Sequence, residues 1–207
     1  MKTIIFDLGN VLVDYQPEVL LTAVSAISQS TPAQLRQFAA EFTHPFGTGQ
    51  MPPQDLHQKH IQLAGADPHY PVFVHAFCQG IFRDEAALEY ALALRQRPSA
   101  NGQPAVQVGL LSNTNELHVD WLHRHVPELW QLDAVIMSNE VGLMKPDPAI
   151  YRLALARLGA TAVTTLFIDD IPENVQAAQA LGISGIVHRN WAETEPQIEQ
   201  WLIRNTR

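Results

Sequence analysis

Carboxylate side chains follow two apolar segments that lie near opposite ends of this sequence. Ile4, Ile5 and Phe6 lead into Asp7, and a second apolar run, 166–168, leads into Asp169 and Asp170. Continuous apolar runs of this kind are typical of strands buried on both faces of a parallel sheet, and such sheets bind ligands at the carboxyl ends of their strands. If the two strands are neighbours, the three carboxylates meet and repel each other unless a cation or protons lie between them. A hard divalent cation with oxygen ligands, Mg²⁺ above all, is the simplest solution.

Other polar residues stand at corresponding positions further along the chain. Ser112 and Asn113 follow the apolar run 106–111, and Lys145 precedes Pro146, Asp147 and Pro148 at a predicted helix start. An Asp at the N-cap followed by a Pro at the first helical position is a strong start signal. Because these residues also occupy element ends, we expect them on the same edge of the sheet as Asp7.

The elements that position these residues alternate between strand and helix. Apolar runs predict strands at 3–6, 106–111, 134–137, 166–168 and 183–187, and helical spacing predicts helices at 84–97, 148–158 and 172–181, with a turn at 98–102. Alternation of this kind predicts βαβ units, a mostly parallel sheet and right-handed crossovers. The predicted fold is therefore an α/β, Rossmann-like, three-layer sandwich.

In residues 16–90 the apolar residues follow a helical spacing instead, and no clear buried strand is recognisable among them. We expect residues 1–15 and 91–207 to form the α/β core and residues 16–90 to form a helical cap over the strand ends. A predicted loop, 43–49, and the pair Phe82-Arg83 are the expected cap residues facing the pocket, and Arg83 could bind a distal anionic group or be an ordinary surface residue. A cap of this kind excludes water and selects the substrate.

Composition limits the classes of partner and compartment. The 207 residues are 46% hydrophobic and 16% charged, and the net charge of −8 without a Lys/Arg run argues against nucleic acid and anionic membranes. Cys78 is the single cysteine, so no internal disulfide forms, and its apolar surroundings predict a buried side chain. With no membrane-length apolar run and no recognisable signal peptide, we expect a cytoplasmic protein.

Four short motifs carry a resemblance to the haloacid dehalogenase-like superfamily over the whole chain. In order, they are Asp7-Leu8-Gly9-Asn10-Val11, Leu110-Leu111-Ser112-Asn113, Lys145-Pro146 and Phe167-Ile168-Asp169-Asp170-Ile171-Pro172-Glu173-Asn174. Each motif alone is weak, but four in order on the expected elements are specific. Within the superfamily the chain resembles the small-capped bacterial sugar-phosphate phosphatases, glucose-1-phosphate phosphatases among them.

The resemblance implies a role for each motif residue in Mg²⁺-dependent phosphate-ester hydrolysis. Asp7 would be the nucleophile that forms an aspartyl-phosphate, and Mg²⁺ would be bound by Asp7, Asp170 and the backbone carbonyl of Gly9. The side chain of Ser112 and the backbone N–H of Asn113 would bind the phosphoryl oxygens, and Lys145 would offset negative charge. The supporting residues would be Asp169 and Asn174.

One position departs from the pattern of the phosphatases. Their second Asp, two residues after the nucleophile, protonates the leaving alcohol and then activates water, but Gly9 occupies that position here. The metal site is unaffected, whereas the acid–base half of the mechanism has no assigned residue. Asp14 and His44 are candidates, besides solvent or the substrate itself.

Several simpler interpretations and two other functions stay open. Asp169 and Asp170 can cap the following helix, and Lys145 can be a surface residue. His118 can line the pocket or serve at the surface, and the insert histidines, His57 and His60 among them, are expected to be solvated rather than zinc ligands. The alternative functions are a catalytically weak or non-catalytic phosphometabolite-binding protein, which Gly9 favours, and a metal-independent 2-haloacid dehalogenase, which the Asp169-Asp170 pair disfavours.

Overall fold

A five-stranded parallel sheet forms the centre of the molecule. The computed structural model describes residues 1–98 and 105–204. The strands of the central sheet lie in the order β5-β4-β1-β6-β7, and β2 and β3 form a separate antiparallel pair. The strand bounds are β1 (Lys2–Phe6), β2 (Val13–Tyr15), β3 (Ile81–Arg83), β4 (Val106–Ser112), β5 (Ala134–Met137), β6 (Thr165–Asp169) and β7 (Ser184–Val187).

Helices cover both faces of this sheet. The helix bounds are α1 (Pro17–Ser28), α2 (Pro32–Gly47), α3 (Pro53–Ala64), α4 (Tyr70–Phe77), α5 (Glu85–Gln96), α6 (Glu116–His125), α7 (Ser138–Val141), α8 (Pro148–Leu158), α9 (Pro172–Gln179) and α10 (Trp191–Arg204). Buried residues of α5, α6 and α10 form one core with the sheet, and buried residues of α8 and α9 form a second core on the opposite face. The predicted α/β sandwich is confirmed.

The order of the strands explains why the sequence places carboxylates at one edge. β1 pairs in parallel with β4 on one side and with β6 on the other, with Phe6 opposite both Leu110 and Ile168. The side chains of these strands are almost completely buried, as their apolar runs require. The carboxyl ends of β1, β4 and β6 are therefore adjacent.

Helices α1 to α4, residues 17–77, form a helical insert whose apolar core around Leu56 and Phe73 also includes Leu117 of α6. The predicted boundary at residue 90 falls within α5, which packs on the sheet through Leu88, Ala91 and Leu94. The insert is joined to the sheet through the β2–β3 pair. Each of these short strands has only one buried residue, so the apolar pattern of the sequence does not predict them.

The predicted loop at 43–49 is wrong, because α2 continues through it to Gly47 with Pro45 inside the helix. Proline removes a helical hydrogen bond and favours a break, but a capping box at Thr31 and the packing of Phe46 hold this helix together. The other predicted helices occur with small shifts at their ends. The predicted turn at 98–102 lies mostly outside the described residues.

The insert histidines are not uniformly solvated, which corrects the expectation for two of them. His57 and His60 on α3 are buried against Phe73, whereas His44, His69 and His75 are exposed. Cys78 is buried, as predicted. None of the helices among residues 1–98 and 105–204 combines the length and the apolar character that a membrane crossing needs.

Candidate active site

Three carboxylates meet at the carboxyl ends of β1 and β6. Asp7 directly follows β1, Asp169 is the last residue of β6, and Asp170 comes next. One oxygen of each lies within 4.8 Å of the others, close enough to share a metal ion. Asp169 is completely buried and Asp7 is nearly so, while Asp170 is half-buried at the edge of the cluster.

The Lys145 ammonium group lies between two of these carboxylates. Its Nζ donates to Oδ1 of Asp7 at 2.5 Å and to Oδ2 of Asp169 at 2.7 Å, and its side chain is 1% exposed. A surface position for Lys145 is thereby excluded. The segment between α7 and α8 brings the lysine into the cluster, and its backbone is hydrogen-bonded to the side chain of Asn113.

Burial and neighbouring charges have opposite effects on the pKa values of Asp7 and Lys145. Desolvation raises the pKa of Asp7 to about 6, with a further contribution from the charge of Asp169, while Lys145 opposes the shift. Desolvation lowers the pKa of Lys145, but the charges of Asp7 and Asp169 outweigh it and raise that pKa overall. Lys145 therefore remains a cation beside Asp7.

Asp169 uses its oxygens within the protein. Besides Lys145, it accepts hydrogen bonds from the Asn174 amide at 3.0 and 3.1 Å and from the backbone N–H of Ile171 at 2.8 Å. The bond from Ile171 lies just before α9, and that helix has no side-chain cap hydrogen bond, so the simpler capping interpretation of Asp169 and Asp170 is wrong. With its lone pairs occupied, Asp169 orients Lys145, and Asn174 in turn orients Asp169.

Asp170 faces a polar residue that sequence reasoning missed. Asn10 has a left-handed backbone, φ 56°, and its Nδ2 donates to Oδ2 of Asp170 at 2.9 Å, while its Oδ1 accepts from the Tyr15 N–H at 3.1 Å. Asn tolerates this backbone conformation better than most residues, which was the available signal. Neither Oδ1 of Asp170 nor the carbonyl oxygen of Gly9 accepts a hydrogen bond from the described residues.

These free oxygens allow a test of fit for a divalent cation. A carboxylate from Asp7, a carboxylate from Asp170 and the Gly9 carbonyl are the hard oxygen donors that Mg²⁺ prefers. The donor set is therefore suited to Mg²⁺, whereas the fully hydrogen-bonded Asp169 is poorly suited to bind it directly.

Ser112 and Asn113 lie beside Asp7 at the end of the neighbouring strand. Ser112 is the last residue of β4, and both residues line a cavity of about 620 Å³ that also borders Gly9. The cavity extends from the strand ends into the helical insert, where its lining includes Leu21, Phe38 and Phe73. The predicted pocket segment at 43–49 contributes Thr43, Phe46 and Gly47 to this lining, in helical rather than loop form.

Arg83 does not face the cavity, and its proposed grip on a distal anion is wrong. Its guanidinium forms ion pairs with Glu85 at 2.7 Å and Glu128 at 2.9 Å and also donates to the His125 carbonyl. Two carboxylates already neutralise this side chain, and hydrogen bonding to them raises its pKa. Phe82 is 41% exposed and also lies outside the cavity lining.

The candidates for the general acid that Gly9 cannot supply differ in their position relative to the cavity. Asp14 and His44 are exposed and do not belong to the cavity lining. His118 does line the cavity and is buried, with Nε2 3.3 Å from the carbonyl oxygen of Phe77. Desolvation lowers the pKa of His118 to about 4, which keeps the ring neutral near pH 7 and makes it a poor proton donor.

A model of the haloacid dehalogenase-like hydrolase family matches residues 1–182. The chain therefore belongs to the haloacid dehalogenase-like hydrolases, and the resemblance carried by its four motifs is confirmed. Family membership establishes a hydrolase fold, while the reaction and its substrate need separate support.

The chain is similar in sequence to two phosphatases. The chain is 29% identical over 198 residues to the sesquiterpene phosphatase astK of Aspergillus oryzae, covering 89% of this chain and 88% of that protein. It is 33% identical over 109 residues to a phosphatase of Mycobacterium tuberculosis, covering 52% of this chain and 46% of that protein.

The fold also matches a solved structure over nearly its whole length. A haloacid dehalogenase family enzyme from Bacteroides thetaiotaomicron, crystallised with magnesium and inorganic phosphate, has a TM-score of 0.79 and 23% identity, covering 94% of this chain and 98% of that one. At this identity the match establishes the shared fold.

Proposed function

We propose that this protein is a Mg²⁺-dependent phosphatase that hydrolyses small phosphomonoesters through an aspartyl-phosphate on Asp7. The observation that carries the proposal is the position of Asp7, which follows β1 within reach of a carboxylate oxygen of Asp170 and of the Lys145 ammonium. The names of the Aspergillus and Mycobacterium relatives support phosphatase chemistry.

Covalent catalysis divides the reaction into two displacements at phosphorus. In the first, a carboxylate oxygen of Asp7 forms a bond to phosphorus, the phosphorus–oxygen bond to the alcohol breaks, and the alcohol oxygen takes up a proton. In the second, water attacks phosphorus, loses a proton and expels the Asp7 carboxylate, which releases inorganic phosphate. Both steps concentrate negative charge around one phosphoryl group.

The residues around Asp7 stabilise that charge. Lys145 is held in place by Asp169 and supplies a fixed positive charge next to the nucleophile. The Ser112 hydroxyl and the Asn113 N–H would donate to phosphoryl oxygens, since Ser112 ends the neighbouring strand, Asn113 follows it, and both residues line the cavity. Asn174 supports this arrangement through Asp169.

Asp7, Asp170 and the Gly9 carbonyl would hold Mg²⁺. When bound there, the ion supplies Lewis-acid stabilisation of the phosphoryl oxygens and shields Asp7 from the incoming anion. The magnesium and phosphate of the Bacteroides enzyme support this assignment. The donor oxygens left free by the protein support it independently.

The helical insert acts as the cap in this proposal. Its helices contribute most of the cavity lining next to the strand ends, so they would exclude bulk water and contact the organic part of the substrate. A small phosphorylated metabolite is the proposed partner. The sugar-phosphate class, the cytoplasmic location and the absence of nucleic-acid and membrane partners stay predictions from the sequence.

The decisive experiment measures phosphate release from p-nitrophenyl phosphate with and without Mg²⁺. We expect Asp7→Asn to abolish release and excess EDTA to do the same to the unaltered protein, with activity restored by added Mg²⁺. Asp14→Asn is the matched control, because Asp14 is an exposed carboxylate on β2 outside the cavity lining, and it should retain full activity. Mass spectrometry after reaction with acetyl phosphate should find the acyl phosphate on Asp7.

Other outcomes would select the alternative functions. Full activity of Asp7→Asn would refute the mechanism. Phosphate-ester binding without turnover and without a phosphorylated Asp7 would favour the non-catalytic protein that Gly9 makes conceivable. Chloride release from 2-chloropropionate in the absence of Mg²⁺ would favour the dehalogenase.

A further inference from the structure

The cavity next to Asp7 has an apolar interior. Beyond the strand ends its walls are formed by aliphatic and aromatic side chains of the insert, including Leu21, Val24, Phe38, Phe73 and Phe77. Burial in such a site is favourable for hydrocarbon and unfavourable for hydroxyl groups that find no partner.

The charged side chains on the lining neutralise each other. Among the described residues that line the cavity, the charged ones are Glu18 and Arg36, whose side chains are 70% and 55% exposed. Nη2 of Arg36 lies 3.0 and 2.8 Å from the two carboxylate oxygens of Glu18. This pair therefore belongs to the solvent-exposed rim, and the interior offers no charge to a polar ligand.

The two histidines of the lining pack against aromatic side chains. His60 packs against Phe38 and Phe73, and His118 packs against Phe77 and Tyr15. Burial lowers the pKa of each ring to about 4, so both are neutral near pH 7. Gly9 adds no side chain where the cavity approaches Asp7, so no carboxylate from that position enters it.

We propose that the preferred substrate is the phosphate monoester of an apolar alcohol, with its hydrocarbon chain in this cavity and its phosphate at Asp7. The inference rests on the proposed phosphatase function and gives it a substrate class. The cavity volume of about 620 Å³ is within the usual range for small-molecule sites. Its continuity with Gly9, Ser112 and Asn113 places one end of the bound chain beside the candidate nucleophile.

The test separates binding of the chain from the chemistry of the leaving group. Non-hydrolysable n-alkylphosphonates from two to twelve carbons, below their micelle-forming concentrations, are measured as competitive inhibitors of acetyl phosphate hydrolysis. Because the phosphonate head group is constant, only the buried apolar area changes along the series. We expect the inhibition constant to fall about threefold per added methylene until the cavity is full.

A pair of variants on α2 identifies the cavity as the binding site. Ala39 lines the cavity and is exposed at its edge, whereas its neighbour Ala40 is exposed but outside the lining. Ala39→Trp should fill part of the cavity and weaken decylphosphonate binding at least tenfold while leaving ethylphosphonate binding unchanged. Ala40→Trp, with the same added bulk, should leave the whole series unchanged.

Each remaining outcome has a defined meaning. If acetyl phosphate is hydrolysed but the inhibition constants vary less than threefold over the series, or glucose 1-phosphate binds more tightly than decylphosphonate, the apolar substrate is refuted and the phosphatase stands. An equal effect of the two tryptophan variants also refutes it. If neither acetyl phosphate nor p-nitrophenyl phosphate is hydrolysed, the phosphatase proposal fails, and calorimetry with butyl- and decylphosphonate still shows whether the cavity binds an apolar chain.

Discussion

Asn113 holds the backbone of Lys145 through two hydrogen bonds made by its side-chain amide. Its Nδ2 donates to the Lys145 carbonyl oxygen, its Oδ1 accepts from the Lys145 N–H, and both distances are 2.8 Å. The same lysine contacts Asp7 and Asp169 through Nζ. The side chain of Asn113, which follows β4, therefore positions the ammonium group of Lys145 beside Asp7 at the end of β1.

Replacing this amide should damage catalysis more than stability. We expect Asn113→Ala to lower kcat for p-nitrophenyl phosphate at least tenfold, because Lys145 Nζ loses its fixed distance to Asp7. The lost hydrogen bonds should lower the free energy of unfolding by about 1–2 kcal/mol. Steady-state kinetics and urea unfolding measure the two effects.

A control on α10 separates the two effects. Asn190 Oδ1 accepts a hydrogen bond from the Glu193 N–H at 3.0 Å at the start of that helix. Asn190→Ala should cost a similar amount of stability and leave kcat unchanged. Equal loss of kcat in the two variants would assign the effect of Asn113 to general destabilisation.

The missing acid at Gly9 can be restored in this backbone. A Cβ added at Gly9 would meet Tyr15 Cβ at 3.6 Å, which is ordinary contact, and the residue does not have a left-handed backbone. We expect Gly9→Asp to raise kcat for alkyl phosphates at least tenfold, because alkoxides are poor leaving groups that need a proton. It should change kcat for p-nitrophenyl phosphate much less.

Gly9→Asn is the matched comparison, since it has nearly the same shape and no useful acid. It should leave the dependence of kcat on leaving-group pKa as it is in the unaltered protein. A similar gain from both variants would show that the added side chain acts by packing. No gain from Gly9→Asp would show that the proton already comes from another source.

Mg²⁺ should stabilise the folded protein through Asp170. A ligand that binds the native state alone at about 100 times its dissociation constant adds about 2.7 kcal/mol to the free energy of unfolding. We expect Mg²⁺ to raise Tm and Asp170→Asn to remove most of that rise, although the substituted amide can still accept the Asn10 hydrogen bond. Asp14→Asn should retain the full rise, and a retained rise in Asp170→Asn would place the ion elsewhere.

The sequence predicts the positions of the main site residues because they depend on strand ends. Asp7, Ser112 and Asp169 each lie at the end of a buried apolar run, and neighbouring parallel strands bring them to one edge. The N-cap at Asp147 also follows from local chemistry and is confirmed.

Side-chain partners depend on tertiary packing and are harder to predict. The sequence indicates a role only for the backbone N–H of Asn113, and only the fold brings Lys145 next to its side-chain amide. The sequence allows Arg83 to bind an anion, but in the folded protein it forms ion pairs with Glu85 and Glu128. Pro45 indicated a loop, but the packing of Phe46 keeps it within α2.

Acid should destabilise the folded protein through its buried histidines. The pKa of His118 is about 4 in the folded protein, because of desolvation, and close to 6.5 when exposed. Between these pH values the unfolded chain binds a proton that the folded protein excludes, so the free energy of unfolding falls as the pH decreases. We expect full stability above pH 6.5 and a loss of up to about 3 kcal/mol from His118 by pH 4. Urea unfolding at constant ionic strength measures this loss, and a flat profile would contradict it.

His60 offers a matched comparison with His57 on the same helix. Within residues 1–98 and 105–204, neither ring nitrogen of His60 has a hydrogen-bond partner, whereas Nε2 of His57 is 2.8 Å from the Pro68 carbonyl oxygen. A buried polar group without a partner costs free energy, so His60→Phe should raise the free energy of unfolding at pH 7 by about 1 kcal/mol. The variant should also weaken the loss of stability below pH 6.5, since burial lowers the pKa of His60 to about 4.

His57→Phe should have the opposite effect, because it leaves the buried Pro68 carbonyl without its partner and should lower the free energy of unfolding by about 1–2 kcal/mol. Both substitutions exchange one planar ring for another on α3, so a difference between them reports hydrogen bonding rather than lost volume. Equal destabilisation by the two variants would mean that His60 has a polar partner in solution, such as water within the cavity.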